Sequence, residues 1–491
     1  MDTYLDNSLV LALVALACLA LFTRVRSSRN TNTPTTLKDG AYNVPTLPYW
    51  IPLLGHLPNL AFQSTSFMHT LRSKYPGGIF ALNLGGTTHN FVHSPHLTTA
   101  LMNQSSNNAG AETLHKTMLQ RIFGFPANML EQYDAAFDEL VICYKPLLTE
   151  PGLGNMVAQT AQRLKGSISS LVTGSVSLVD QMPWECAAAA EVMETSGRGQ
   201  LVEASLLPLI RDFSSHMATP SIFGADFLED FPNAVEDLWT LDRGFLLLAA
   251  GLPRWVPIPS LTRAHLAKRK LLAAFEEFHV KLETNVSDER SEVGDVIKAR
   301  MTVYQKHHWS IAARAATELS LFWGASANSY SLVYWMVHRI YADKALLEML
   351  REETEPFVRV VKPIPELPIA EGLRIDDLNV DGLCGKCPLL KSCYIECLRL
   401  DAAPSTTKVV QQDFDLRSRE KDTQAWSLRK GEYVHASHEL HQTDPHYFED
   451  PMAWKADRHV KRGSNGKQAT AEMGSLRPYG ESIPAQSAVF Y

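Results

Sequence analysis

The sequence lacks the features that mark nucleic-acid-binding and disulfide-stabilised proteins. Its 46 Lys and Arg residues are outnumbered by 53 Asp and Glu residues, which gives a formal net charge of −7 at pH 7. Because nucleic acid requires a basic surface, we expect no nucleic-acid partner. Cysteine is scarce, with seven residues among 491, and this odd number does not indicate a secreted disulfide framework. We also find no internal repeat.

Long apolar runs are almost absent, with one exception near the N-terminus. Leu9–Phe22 is entirely apolar, and Tyr4–Thr23 reaches the roughly 20 residues that a membrane-spanning helix needs. Three arginines follow at once, which predicts that this end stays in the cytosol. The leading segment is acidic, which disfavours a cleaved signal peptide. We therefore predict a membrane anchor over residues 1–26.

The sequence pattern of the remaining chain predicts a short linker followed by one large body. Residues 27–50 are polar and rich in proline, which predicts a linker ending in a stiff hinge. Alternating residues in Gly78–Leu84 and Asn90–Val92, separated by two glycines, predict a hairpin. Most of the body, residues 51–491, has a helical pattern, and residues 363–382 are predicted to form a polar loop. The predicted fold class is mainly α with small β-sheets.

One helix followed by a strand forms the centre of the sequence pattern. Glu396 and Arg399 are three residues apart, so they share a face of the predicted helix and can pair. Most such pairs are solvated, but this helix is otherwise apolar, which favours a buried pair. Pro404 ends the helix, and Thr406–Val410 is predicted to be a strand.

Residues 309–343 form the longest uninterrupted helical pattern. Its middle contains small residues, including Gly324 and Ala325, followed by Asn328 and Ser329. Small residues let a flat ligand approach the backbone, while Asn and Ser can bond a ligand or open the helix locally. A tight helix–helix crossing is the alternative explanation.

Four of the seven cysteines lie close together before and within the central helix, at Cys384, Cys387, Cys393 and Cys397. A zinc site requires two close pairs on turns, and only the first two residues fit. Buried small side chains explain the other two better.

The central helix and strand, together with the segment Asp444–His459, resemble the cytochrome P-450 superfamily of heme-thiolate monooxygenases. The segment matches the superfamily's meander, in which an Asp-Pro pair precedes an aromatic residue and an arginine. The resemblance implies a P-450-like helical fold. It also implies that Arg458 completes a buried triad with Glu396 and Arg399.

Within that superfamily, the 309–343 helix resembles the helix that passes over heme. Asn328 stands where the sterol 7α/12α-hydroxylase and prostacyclin-synthase branch carries Asn in place of an alcohol. This resemblance implies catalytic roles for Asn328 and Ser329, and close contact of Gly324 and Ala325 with heme. It also implies that Lys408 and Arg477 contact the heme propionates, although Lys408 could equally be a lysine on the surface of a strand.

The resemblance fails at the expected iron ligand. Leu476–Gly480 begins the superfamily's ligand loop correctly, but Gln486 occupies the expected position of the axial cysteine. No cysteine follows Cys397, so no metal ligand is predicted. The superfamily's terminal helix and closing hairpin are also absent, and we expect a fold truncated at the C-terminus.

The resemblance implies a membrane-anchored monooxygenase of the endoplasmic reticulum, with its body in the cytosol. It would use heme and an NADPH-dependent reductase to oxidise an apolar, steroid- or terpenoid-like small molecule, and we expect a role in secondary metabolism. The alternatives are a catalytically impaired pseudoenzyme, an incomplete gene product, or an isomerase of the same family that needs no external electrons.

Overall fold

A computed structural model describes residues 2–29, 40–195, 199–284, 293–362, 373–402, 405–418, 424–463, 469–474 and 476. These residues form two compact units. The first lies within residues 1–115 and 403–453 and includes Leu476, and the second lies within 116–402 and 454–475. Arg477 and Gln486 lie outside the described residues.

The helices carry most of the described chain. They are α1 Asp2–Arg29, α2 Leu57–Lys74, α3 Pro95–Met102, α4 Glu112–Arg121, α5 Leu130–Ile142, α6 Lys145–Leu148, α7 Gly152–Ser167, α8 Pro183–Ala187, α9 Leu206–Phe223, α10 Asp226–Asp230, α11 Ala234–Asp242, α12 Phe245–Ala249, α13 Pro259–Thr284, α14 Asp295–Lys306, α15 Ile311–Ala327, α16 Ser329–Ala342, α17 Lys344–Thr354, α18 Val380–Lys386, α19 Pro388–Leu400 and α20 His438–Gln442.

The strands are short. They are β1 Tyr42–Asn43, β2 Ile79–Leu84, β3 Thr87–Val92, β4 Ala109–Gly110, β5 Glu191–Thr195, β6 Gly199–Glu203, β7 Val358–Val361, β8 Arg374–Leu378, β9 Ser405–Val410, β10 Phe414–Arg417, β11 Ala425–Leu428, β12 Tyr433–Ser437, β13 Val460–Lys461 and β14 Thr470–Ala471. A mainly helical fold with small sheets confirms the predicted class.

The first unit is built on two sheets. Five strands lie in the order β2-β3-β12-β9-β4, and three in the order β1-β11-β10. The predicted hairpin is present as β2 and β3. Gly85 and Gly86 join these strands with φ angles of 62° and 84°, the left-handed conformation that a two-residue hairpin turn favours.

A chain of side-chain hydrogen bonds links three strands of the five-stranded sheet. Thr87 donates its hydroxyl to the Leu84 carbonyl over 2.7 Å, so its oxygen accepts from His89 Nε2 over 2.9 Å. His89 Nδ1 then accepts from His435 Nε2 over 2.8 Å, and His435 Nδ1 accepts from Thr407 over 2.9 Å. Each ring is thereby fixed in the neutral Nε2–H form. Burial also favours the neutral form of both rings, since it lowers the pKa of His89 to about 4 and of His435 to about 3.

The second unit is centred on a large apolar core beneath α13 and α15. Five phenylalanines pack edge-to-face, tilted or, for Phe227 on Phe275, stacked, at centroid distances between 5.1 and 6.3 Å. They are Phe223, Phe227, Phe275, Phe278 and Phe322. All eleven buried residues of the α15–α16 pair lie in α15, and none lies in α16. The two helices therefore differ sharply in how far the described protein covers them.

Two sequence-based predictions of secondary structure are wrong. The pattern over 309–343 is not one helix, because Asn328 separates α15 from α16. Residues 374–378, read as part of a polar loop, form β8 and pair antiparallel with β7. The strand was missed because its acidic side chains lie on a two-stranded sheet that buries little.

The membrane anchor predicted over residues 1–26 has no structural support. Within the described part of the chain, no helix is both long enough and apolar enough to cross a bilayer.

Residues 40–50, part of the predicted linker, pack against the first unit. Ala41 is 2% exposed, and Tyr42 and Asn43 form β1. The end of α1 is fixed to the same segment, because Ser27 Oγ bonds both the amide and the carbonyl of Tyr49 over 3.1 Å. Arg24 also donates to the Pro48 carbonyl and covers the Trp50 ring at 5.2 Å.

Candidate functional site

The central helix α19 holds a fully buried carboxylate. Arg399 donates to both oxygens of Glu396, from Nε and Nη2, at 2.8 Å each. Both side chains are 0% exposed. The spacing of three residues places them on one helix face, as the sequence predicts, and the planar guanidinium bonds the carboxylate through two parallel contacts.

Residues 455–459 supply three further donors to Glu396. Arg458 Nε donates to Oε1 over 3.0 Å, and the backbone amide of Lys455 donates to the same oxygen over 3.1 Å. His459 Nε2 lies 3.0 Å from Oε2 and must donate, since an ionised carboxylate only accepts. The structure thus brings together Glu396, Arg399 and Arg458, and it adds His459, to which the sequence pattern assigned no role.

Electrostatics keep this carboxylate ionised. Burial alone would raise the pKa of Glu396, but the hydrogen bonds from Arg399 and His459, the Arg399 charge and the Lys455 amide hold it down at about 2. A buried charge with this many donors is fully compensated. The cluster therefore fixes the 455–459 segment onto α19, with help from the His459 amide, which donates to Ser392 Oγ over 3.1 Å.

The small-residue segment of α15 leads directly to the helix break. Gly324 and Ala325 are half-buried, while Asn328 and Ser329 are exposed. Ser329 Oγ reaches the Ser326 carbonyl only at 3.5 Å, so its hydroxyl is weakly held. The structure therefore places the four predicted residues together on one stretch of backbone, with the polar pair at the break.

Aromatic side chains and one carboxylate surround the same stretch. Trp323 donates its Nε1 to Asp242 Oδ1 over 2.8 Å and stacks on Phe245 with a centroid distance of 4.4 Å. Tyr330 meets Trp239 edge-on at 4.9 Å. Sequence patterns do not predict these contacts, because the partners lie far apart along the chain: Trp323 and Asp242 are 81 residues apart.

Lys408 lies in the first unit, on β9, and is already bonded. Its Nζ donates to the carbonyls of Leu101 and Met102, at 3.3 Å each, where α3 ends. Burial lowers the pKa of this amine. A cation at the C-terminal end of a helix satisfies carbonyls that have no partner within the helix. This contact gives Lys408 a structural role, and contact with a propionate stays a prediction.

The described residues fit the flat face of a heme better than they fit its iron. Small half-buried side chains at Gly324 and Ala325 allow a planar ring to approach. Cys393 and Cys397, however, are 0% exposed, and burial raises the pKa of each thiol to about 12, so neither is a thiolate at neutral pH. In the described part of the chain, no three His, Cys, Asp or Glu residues form a cluster that could hold a metal ion.

Comparison with known proteins reaches the same family as the motifs. Cytochrome P450 7A1 of Oryctolagus cuniculus is 26% identical over 248 residues, which is 50% of this chain and 46% of that protein. A cytochrome P450 monooxygenase of Hormonema carpetanum is 21% identical over 418 residues, 82% of this chain and 68% of the relative. The chain is a relative of the cytochrome P450 monooxygenases. Heme is the cofactor that this relationship implies.

A third P450 relative has a name that specifies its substrate. Cholesterol 7-alpha-monooxygenase of Cricetulus griseus is 22% identical over 250 residues, 50% of this chain and 45% of that protein. The chain thus spans about half the length of the sterol-type P450s that it matches. No family model matches the chain.

The Glu396 cluster predicts the response to its removal. Replacing Glu396 with Ala leaves the buried Arg399 without its carboxylate partner, which costs about 3–5 kcal/mol. We expect that loss in the free energy of unfolding measured in urea. The matched control is Glu348→Ala on α17, where an exposed pair with Arg351 contributes at most about 1 kcal/mol. Equal losses in the two variants would contradict the role of the buried carboxylate.

The same cluster predicts a dependence on pH. Because the pKa of Glu396 is depressed, the difference in free energy of unfolding between the parent and Glu396→Ala should shrink as the pH falls from about 4.5 towards 2.

Proposed function

We propose that this chain has the cofactor and substrate sites of a heme-dependent monooxygenase of an apolar, steroid- or terpenoid-like small molecule, and that oxidation additionally requires a Cys at position 486, where this chain has Gln. The observation that carries the proposal is the relationship to P450 monooxygenases, which extends over 82% of the chain in one relative. Support for a sterol-like substrate comes from the relative named cholesterol 7-alpha-monooxygenase. Electrons would come from an NADPH-dependent reductase.

The helix break supplies the proposed substrate contacts. Asn328 carries an amide that both donates and accepts, so it can orient a polar atom of the ligand. It does not release a proton at neutral pH, and neither does the weakly held Ser329 hydroxyl. We therefore assign Asn328 and Ser329 to positioning, with Gly324 and Ala325 leaving room for an apolar ring system.

A second candidate is a protein that binds the apolar ligand without oxidising it. Gln486 favours this candidate, because Gln supplies no thiolate, and the buried Cys393 and Cys397 are protonated. A family isomerase would equally need the thiolate-ligated heme, so one measurement separates both enzymes from the binding protein.

The deciding experiment records the reduced, carbon-monoxide-bound spectrum of the 491-residue protein. We expect no thiolate-type Soret band from the chain as it stands. The double variant Gln486→Cys/Ala488→Gly should gain that band, because it restores the ligand and the glycine two residues later. A thiolate band in the unaltered chain would show that the iron ligand does not come from position 486, and would contradict that part of the proposal. A double variant that binds heme, as measured by its pyridine complex, but shows no thiolate band would contradict it as well.

The role of Asn328 is tested by ligand binding. Asn328→Leu removes one hydrogen bond to the ligand, worth roughly 1 kcal/mol, so affinity for radiolabelled cholesterol should fall about fivefold. Tyr341→Leu, at a 65% exposed position near the end of α16, is the control and should leave the affinity unchanged. Unchanged affinity in Asn328→Leu would remove this residue from the site.

We also propose that α1 attaches the protein to the membrane of the endoplasmic reticulum. Apolar side chains on all sides of this helix are exposed, with Leu16 at 61% and Phe22 at 63%. A helix that is apolar all round is stable only where something apolar covers it.

Flotation with phosphatidylcholine vesicles tests this attachment. The full chain should float, and Leu16→Arg/Leu19→Arg should remain at the bottom of the gradient. Leu373→Arg, at a 61% exposed position in the second unit, should float like the parent. Flotation of the Leu16→Arg/Leu19→Arg protein would disprove attachment through α1.

A further inference from the structure

Two of the seven cysteines stand at the junction between α18 and α19, outside the proposed substrate site. Cys384 lies in α18 and is exposed, while Cys387 directly precedes Pro388, the first residue of α19, and is 1% exposed. Both are free thiols. The pair combines one sulfur that solvent reaches and one that the protein covers.

The backbone between the two cysteines brings them within bonding range. Residues 384–386 are helical, and helix geometry places Cα atoms three residues apart at about 5 Å. Disulfides join residues whose Cα atoms are about 4.4–6.8 Å apart. The bond therefore requires a side-chain rotation of Cys387 rather than movement of a whole helix.

Cys387 is held in its reduced position by weak contacts. Its Sγ lies 3.6 Å from the Glu353 carbonyl and 3.9 Å from the Gly382 carbonyl. Burial, then Glu353, then the neighbouring Cys384 raise the pKa of the Cys387 thiol. Cys384 is thus the first point of attack, and Cys387 is the residue that can resolve the product.

We propose that Cys384 and Cys387 form an oxidisable dithiol that hydrogen peroxide converts to a disulfide. The Cys384 sulfur attacks one peroxide oxygen, the O–O bond breaks, and the other oxygen leaves as water, so Cys384 becomes a sulfenic acid. The Cys387 sulfur then attacks the sulfenic sulfur, the S–O bond breaks, and a second water leaves. Two thiols lose two electrons in total, and one peroxide is reduced to two waters.

Oxidation at this junction acts on the start of the central helix. The Glu353 carboxylate accepts from the amides of Leu389 over 2.8 Å and Leu390 over 2.9 Å, and so caps the first turn of α19. A disulfide draws the Cys387 sulfur away from the Glu353 carbonyl. The dithiol therefore links the oxidation state of two thiols to the N-terminal turn of the helix that carries Glu396.

The sequence itself offers a sharp assay for the disulfide. Trypsin cleaves after Lys386, between the two cysteines, so residues 375–386 and 387–391 separate unless a disulfide joins them. The reduced full-length protein is treated with hydrogen peroxide, its remaining thiols are blocked with N-ethylmaleimide, and it is digested without reductant. We expect the joined peptide as the main product of this region by mass spectrometry.

Two variants give the controls. Cys384→Ser, at an exposed position, should fold normally and lose the joined peptide entirely, while Cys186→Ser removes another exposed thiol and should leave it unchanged. Separate peptides from the parent, with Cys384 either alkylated or oxidised to sulfinic acid, would overturn the proposal. Formation of the disulfide does not depend on heme binding. This experiment therefore tests the dithiol independently of the proposed monooxygenase function.

Discussion

The buried carboxylate of Glu396 is the interaction on which the centre of the second unit depends. It lies in α19, yet its partners come from two parts of the chain about 60 residues apart, since Arg399 is local and Arg458 and His459 are not. A carboxylate in this position is stable only when every donor is present. The segment at 455–459 is therefore fixed to the helix by a charge requirement as well as by the apolar contacts of Ala456.

Local signals in the sequence were enough to predict several elements of the two units. The apolar pattern of α19, the Glu396–Arg399 spacing and the glycine pair between β2 and β3 all act within a few residues, and each appears in the structure. His459 was missed because its contact depends on the path of the chain after residue 454. Periodicity within one helix carries no information about that path.

The helix break at Asn328 is a local feature that the sequence pattern nevertheless failed to predict. The helical pattern continues on both sides of this residue, so a one-residue interruption leaves no trace in the period of the sequence. What the sequence did indicate was that Asn328 and Ser329 could open the helix locally, because their side chains compete for backbone hydrogen bonds. The contacts of Lys408 could not be predicted from the sequence either, since its bonds to the end of α3 join positions more than 300 residues apart.

The four clustered cysteines show how burial decides their chemistry. Cys393 and Cys397 lie within α19 with 0% exposure, and burial raises the pKa of each thiol to about 12. A thiolate ligand for iron must be ionised, so packing that suits the core excludes these residues from that role. Cys384 remains accessible, and its neighbour Cys387 is covered but close. Burial therefore divides one short cysteine-rich segment into an inert pair and a reactive pair, and neither pair replaces the ligand that Gln486 does not provide.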